Sequence, residues 1–179
     1  MSPTVFKLLL LTLLGSVLSG CGLYQTVSDT SASIAKSVFY KQVKTLHLDF
    51  TGRAAMNTDS RDMSGLSVPT LVRVYQLRDG KTFAAASYDG LLSDGSAALG
   101  ADLLDERAVV VKPDEGAQLN VPMDKAAQVV AVVALFRQPD TTENSWRLVL
   151  ARDELDPDKA RVIELGDNRL SLRPLSKQE

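Results

Sequence analysis

One cysteine and one histidine occur in 179 residues, so few side chains can act as nucleophile, base or soft metal ligand. Cys21 closes the run Leu18-Ser19-Gly20-Cys21, behind Lys7 and an apolar stretch over residues 8–14. Positive end, apolar core and small-residue cleavage site are the layout of an export signal. A signal that stops at a cysteine gives that thiol one reaction: it takes a diacylglycerol and becomes the first residue of the mature chain. A transmembrane helix is excluded by length, because a bilayer span needs about 20 apolar residues, and Ser16, Ser19 and Gly20 dilute this one. A plain secretory signal would leave an odd free thiol unexplained.

The remaining chemistry is thin. His47 falls in the outward register of an alternating segment, and no second histidine can join it. His-based metal sites and Ser-His-Asp triads are therefore excluded. Gly95-Ser96 and Gly65-Leu66-Ser67 do not make a nucleophile elbow. Asp94-Gly95-Ser96 lacks the lysine and spacing of a phosphate loop. Carboxylates are plentiful, among them Asp102, Glu106 and Asp153, so composition leaves a two-carboxylate hydrolase open. Solvated turns and helix ends account for them more simply. Glu154, Asp156 and Asp158 flank Pro157 without the glycine and ligand spacing of a calcium loop. No catalytic residue, metal or cofactor is expected beyond the lipid on Cys21.

Residues 1–20 read as a lipoprotein signal, 21–42 as a lipidated tether with a short helix near 33–40, and 43–179 as one domain. Gly22 after the cysteine, in place of the aspartate that retains such lipoproteins in the inner membrane, implies an outer-membrane anchor facing the periplasm. The net charge is −2, and loss of Lys7 makes the mature chain slightly more acidic, which argues against nucleic acid as a partner. With one cysteine no intramolecular disulfide can form, and the core must hold unaided.

From residue 45 the hydrophobic period is two. Leu46, Leu48 and Phe50 alternate with His47 and Asp49, the pattern of a half-buried strand. Further strands are expected over 70–78, 108–112, 119–123, 129–136, 146–150, 162–165 and 170–172, with 129–136 apolar on both faces as in a covered central strand. Eight such segments indicate an all-β sandwich. Residues 82–92 and 99–104 break the rhythm and read as a helical insertion packed on a sheet edge.

Residues 52–69 form the longest stretch without periodicity, and a connection of that length in a small domain is usually functional. Asn57, Thr58, Asp59, Ser60, Arg61, Asp62 and Met63 are nominated as a partner-binding loop, with Met56 and Met63 as adaptable apolar contacts. Arg61, between Asp59 and Asp62, would match charge on the partner.

Several segments in order then resemble a known family. They are Ala35-Lys36-Ser37-Val38-Phe39-Tyr40, Lys44-Thr45-Leu46-His47-Leu48-Asp49, Val72-Arg73-Val74-Tyr75-Gln76-Leu77, Gly100-Ala101-Asp102-Leu103-Leu104, Met123-Asp124, residues 131–137 and Trp146-Arg147-Leu148-Val149-Leu150. Behind a lipid-accepting cysteine, this series resembles the TssJ (SciN) family, outer-membrane lipoproteins of type VI secretion systems. The resemblance implies a transthyretin-like eight-stranded β-sandwich with short added helices and no enzymatic activity. It implies an anchoring role in the trans-envelope membrane core complex, through the periplasmic domain of TssM and indirectly TssL. It also implies that the connection between the first two strands, here 52–69, meets TssM. A single loop buries less than a standard interface, so an affinity of about micromolar is expected. Two alternatives share the residue-level features. One is a periplasmic lipoprotein that binds or hydrolyses a cell-wall-type ligand, which needs Asp102, Glu106 and Asp153 to converge in a cleft. The other is an assembly pilot for a different envelope machine.

Overall fold

In a computed structural model, residues 42–62 and 65–174 are described, and they build two four-stranded sheets packed face to face. The first sheet has the order β4-β1-β7-β8, from β1 (Thr45–Gly52), β4 (Gly116–Pro122), β7 (Arg161–Gly166) and β8 (Arg169–Leu172). The second has the order β3-β2-β5-β6, from β2 (Thr70–Leu77), β3 (Leu103–Val111), β5 (Val129–Ala134) and β6 (Arg147–Ala151). β1 runs parallel to β7, and the other pairings are antiparallel. The all-β sandwich expected from the periodicity is therefore present. The 33–40 helix and Cys21 lie outside the described residues.

The alternation in β1 does what the sequence says. Leu46, Leu48 and Phe50 are buried in the inter-sheet core, while Thr45, His47 and Asp49 are half-exposed. His47 Nδ1 pairs with the Asn120 side-chain oxygen at 2.6 Å, across a register pair of β1 and β4, and is a surface strand residue. β5 is buried on both faces, because its inner face meets the first sheet and its outer face is roofed by helices. β7 and β8 are joined by Asp167 and Asn168, both with positive φ (51° and 57°). Such a two-residue hairpin matches the twist of the strands, and Asn and Asp tolerate the conformation.

The largest differences from the sequence expectation lie at β3 and in the insertion. β3 begins at Leu103, five residues earlier than the apolar run at 108. Asp105, Glu106 and Arg107 hid it: charged residues are tolerated on an edge strand, where one side of the ladder faces water. The first expected segment of the insertion, 82–92, is two helices, α1 (Lys81–Ala85) and α2 (Tyr88–Leu99), and the second, 99–104, is a single 3-10 turn at Gly100–Asp102 that leads into β3. Ser87 Oγ accepts the Gly90 N–H at 3.1 Å and starts the second helix as an N-cap. Asp94, with non-helical φ and ψ, breaks α2, and its carboxylate recaps the chain by accepting from Ala97 N–H at 3.0 Å. That backbone bond, with the Ser96 hydroxyl, holds the Asp94 carboxyl below its ordinary range.

The helices also do not sit on a sheet edge. They cover the outer face of the second sheet. Arg73 of β2 donates to the Leu91 carbonyl at 2.6 Å, and Arg147 of β6 donates to the Phe83 and Ala86 carbonyls at 3.2 and 3.1 Å. Gly95 lies so close over Tyr75 of the central β2 that a Cβ there would run into the Tyr75 ring and hydroxyl. A roof on this face explains why Tyr75 and Leu77 are buried despite pointing away from the first sheet.

Candidate functional site

The connection between β1 and β2 leaves the sandwich at Gly52, whose N–H donates to the Glu115 carbonyl at 2.9 Å. A Cβ at Gly52 would strike the Lys112 carbonyl oxygen and stand 2.8 Å from the Met56 sulfur, so the departing chain is packed tightly against the β3–β4 turn. Met56 is fully buried, and its N–H donates to Ser67 Oγ at 3.2 Å, which closes the base of the loop. This corrects the expectation for Met56: it is a core side chain, not an adaptable surface contact.

Three neighbours then fix residues 57–62. Asn57 has a φ of 50° and is only 3 % exposed. Its Nδ2 donates to the Pro69 carbonyl at 3.3 Å and its Oδ1 accepts the Arg137 N–H at 2.7 Å. Thr58 exchanges two bonds with Asn168, N–H to Oδ1 and Nδ2 to C=O, each 2.9 Å. Ser60 donates from N–H and Oγ to Gln138 Oε1 at 3.4 and 3.2 Å, while Gln138 Nε2 donates to Asp59. Asp59 Oδ1 accepts from Arg61 N–H at 2.9 Å and Nε at 3.3 Å, and Asp59 also faces Arg137 at 3.6 Å. The Arg61 backbone bond first, then its side-chain bond, with the Arg61 and Arg137 charges behind them, hold the Asp59 carboxyl below its ordinary range. Asp62 pairs with Arg137 at 3.7 Å.

The nominated residues thus divide. Asn57 turns inward and organises the loop, with both ends of its amide bonded inside the protein. Thr58 and Asp59 are half-buried struts. Ser60 and Arg61 face solvent, with the Arg61 side chain 78 % exposed, and Leu66 further along is an exposed apolar side chain. Met63 lies outside the described residues. Arg137, Gln138 and Asn168 were missed by sequence reasoning, and only the turn composition around Asn168 hinted at one of them.

This pole stands at one end of β1. The described chain begins at Gln42, at the other end, where Arg152 donates to the Val43 carbonyl at 2.9 Å and the Ala127 carbonyl at 2.6 Å. Eight residues of strand separate the two ends by roughly 25 Å.

The carboxylates do not form a hydrolytic pair. Glu106 lies on β3 and Asp102 just before it, whereas Asp153 follows β6, and β2 and β5 lie between those two edges. Glu106 pairs with Arg73 at 3.8 Å, and Asp102 accepts from the Thr82 hydroxyl. Asp156 Oδ1 accepts from Asp158 and Lys159 N–H at 2.8 and 3.1 Å, and Glu154 accepts from Ala151 N–H at 2.6 Å. These acids cap turns.

The chain is thus a β-sandwich that carries a clamped loop at one pole. It belongs to the type VI secretion lipoproteins: the family model described as "Type VI secretion lipoprotein, VasD, EvfM, TssJ" matches residues 44–168. Among solved structures, a chain of one described as "T6SS protein TssM C-terminal domain" from EAEC is 38 % identical, with a TM-score of 0.68, over 74 % of this chain and 100 % of that one. A chain of a "Type VI membrane complex" is 40 % identical, with a TM-score of 0.70 over the same shares. The T6SS lipoprotein TssJ1 from Pseudomonas aeruginosa shares the fold at 22 % identity, TM-score 0.59, covering 74 % of this chain and 98 % of that one. So does Serratia marcescens Lip, a membrane-bound component of the type VI secretion system, at 22 % identity, TM-score 0.63, over 73 % and 98 %. No curated relative matches.

Proposed function

We propose that this lipoprotein is a non-enzymatic bracket of the type VI membrane complex. It is acylated at Cys21, held in the periplasmic leaflet of the outer membrane, and binds the periplasmic domain of TssM, and so indirectly TssL, through the pole formed by residues 53–69. The observation that carries the site is the clamping of that loop by Arg137, Gln138 and Asn168, from two other connections. A loop ordered before it meets its partner loses little conformational freedom on binding, which favours affinity. The position of this pole, a strand length from where the domain's chain begins, supports a partner approaching from the side away from the anchor. Family membership and the two relatives near 40 % identity support TssM as that partner. The hydrolase alternative has lost the carboxylate cleft it needed. Co-purification of TssM from envelope extracts with the wild-type chain, and its loss with Arg61→Ala, is the expected result. Full recovery of TssM with Arg61→Ala and with Leu66→Asp would remove the loop from the interface.

A further inference from the structure

A groove of about 620 Å³ opens beside the loop, between α2 and the β5–β6 connection, lined by Tyr88, Leu92, Leu135, Phe136, Arg137 and Pro139 among others. We propose that this groove is the second half of the partner interface, and that it takes an apolar side chain, next to a basic one, from an extended segment of the TssM periplasmic domain. The inference rests on the partner proposed above.

Four observations carry it. First, the wall is preformed. Tyr88 donates to the Phe136 carbonyl at 2.6 Å, and its ring meets Trp146 edge-on at 5.1 Å, so α2 is fixed to the connection across the groove. Second, exposed apolar side chains gather here. Leu92 is 45 % exposed and lines the groove. Leu71 and Val110, both exposed, are cross-strand partners, and the Leu71 carbonyl accepts the N–H of the groove residue Leu135 at 2.9 Å. Cross-strand partners share a face, so Leu71 and Val110 form an exposed apolar pair on the outer face of the second sheet, with Leu71 on the strand bonded to Leu135. Contiguous apolar surface with a polar rim marks an interaction site. Third, groove and loop are mechanically one surface. Arg137 lines the groove, and it also pairs with Asp59 and Asp62 and binds Asn57. Fourth, the loop is short and turns Met56 and Asn57 inward, whereas a specific interface takes about 20–30 residues on each side.

Charge selects the occupant. Arg137 is already balanced by the two loop aspartates, which leaves Asp89 to set the sign of the groove's rim. A basic residue beside the inserted apolar one answers it.

The test titrates the full chain in detergent with the TssM periplasmic domain. Leu92→Glu puts a second negative charge into the groove from an exposed helix position and should weaken binding about tenfold or more, as loss of a central apolar contact does. Leu92→Met should bind within about twofold of wild type. Val149→Glu, at an exposed apolar side chain that does not line the groove, should leave affinity unchanged. Thermal melts of each variant separate binding loss from unfolding. If Leu92→Glu binds like wild type while Arg61→Ala loses affinity, the groove is refuted and the loop assignment stands. Weakening by Val149→Glu equal to that by Leu92→Glu would also refute it, because the effect would be generic. Absence of binding by the wild-type chain would overturn both the groove and the partner on which it rests.

Discussion

Within the loop, neighbouring residues do opposite jobs. Asn57 spends both ends of its amide inside the protein, and its backbone is in the left-handed region. Asn57→Ala leaves the Arg137 N–H and Pro69 carbonyl without their partner and strains φ. It should lower unfolding free energy by about 1–3 kcal/mol, read by urea denaturation. Arg61→Ala, on a side chain mostly in solvent, should change stability by less than about 0.5 kcal/mol while reducing TssM binding. Asp59 adds a pH dependence. Its folded pKa is depressed, so its contribution to loop order is present above the ordinary carboxylate range and is lost as pH falls through the lowered value. Protection factors at Arg61 and Asp62, which remove the intrinsic slowing of amide exchange with falling pH, should therefore hold from neutral pH through the ordinary carboxylate range and drop only below it; loss of protection between pH 7 and 5 would contradict this. The location of the loop was legible in the sequence because periodicity stops there. Which of its residues face solvent was not, because that is decided by Arg137, Gln138 and Asn168, which are distant in sequence from the residues they hold.

At the scale of elements, the strands were readable wherever one face is dry, and β1, β5 and β6 follow their alternation or apolar run. β3 was half-hidden because an edge strand has no buried partner on one side to force a pattern. The helical roof was visible as composition but not as placement. Its position depends on arginines of the sheet below, above all Arg147, which binds two carbonyls of the α1 region and lies 5.6 Å from the Phe83 ring centre and 5.0 Å from that of Trp146. Arg147→Met removes those charged donors. It should cost about 1.5–3 kcal/mol and speed hydrogen exchange across residues 81–87, with β2 and β5 protection retained. Tyr88 pins the other helix. Burial, with the nearby Asp89 carboxylate, pushes its phenol up to about 12. The fold holds the neutral phenol, so this contribution is intact below the ordinary tyrosine value near 10 and is lost as pH rises through about 12. Burial raises the Tyr75 phenol as well, so ultraviolet titration should show one fewer tyrosine resisting ionisation in Tyr88→Phe than in the wild type.

For the molecule as a whole, the proposal assigns separate jobs to the two ends of one domain. The chain enters beside β1's first residue, pinned by Arg152, and the clamped loop lies at β1's far end. A lipid on Cys21 would hold the first end at the membrane and leave the second free to meet a protein crossing the periplasm. Cys21→Ser should remove the protein from the outer-membrane fraction without changing the melting temperature of its folded domain, which fractionation and circular dichroism can read. The central claim is that this lipoprotein grips TssM with the pole built from residues 53–69 and its clamps. Hydrogen–deuterium exchange of the full chain, with and without the TssM periplasmic domain, tests it most directly. Protection is predicted over residues 58–62, 66–71 and 88–92. Protection confined to the opposite end of β1 or to the β4 edge, with 58–71 unchanged, would contradict it.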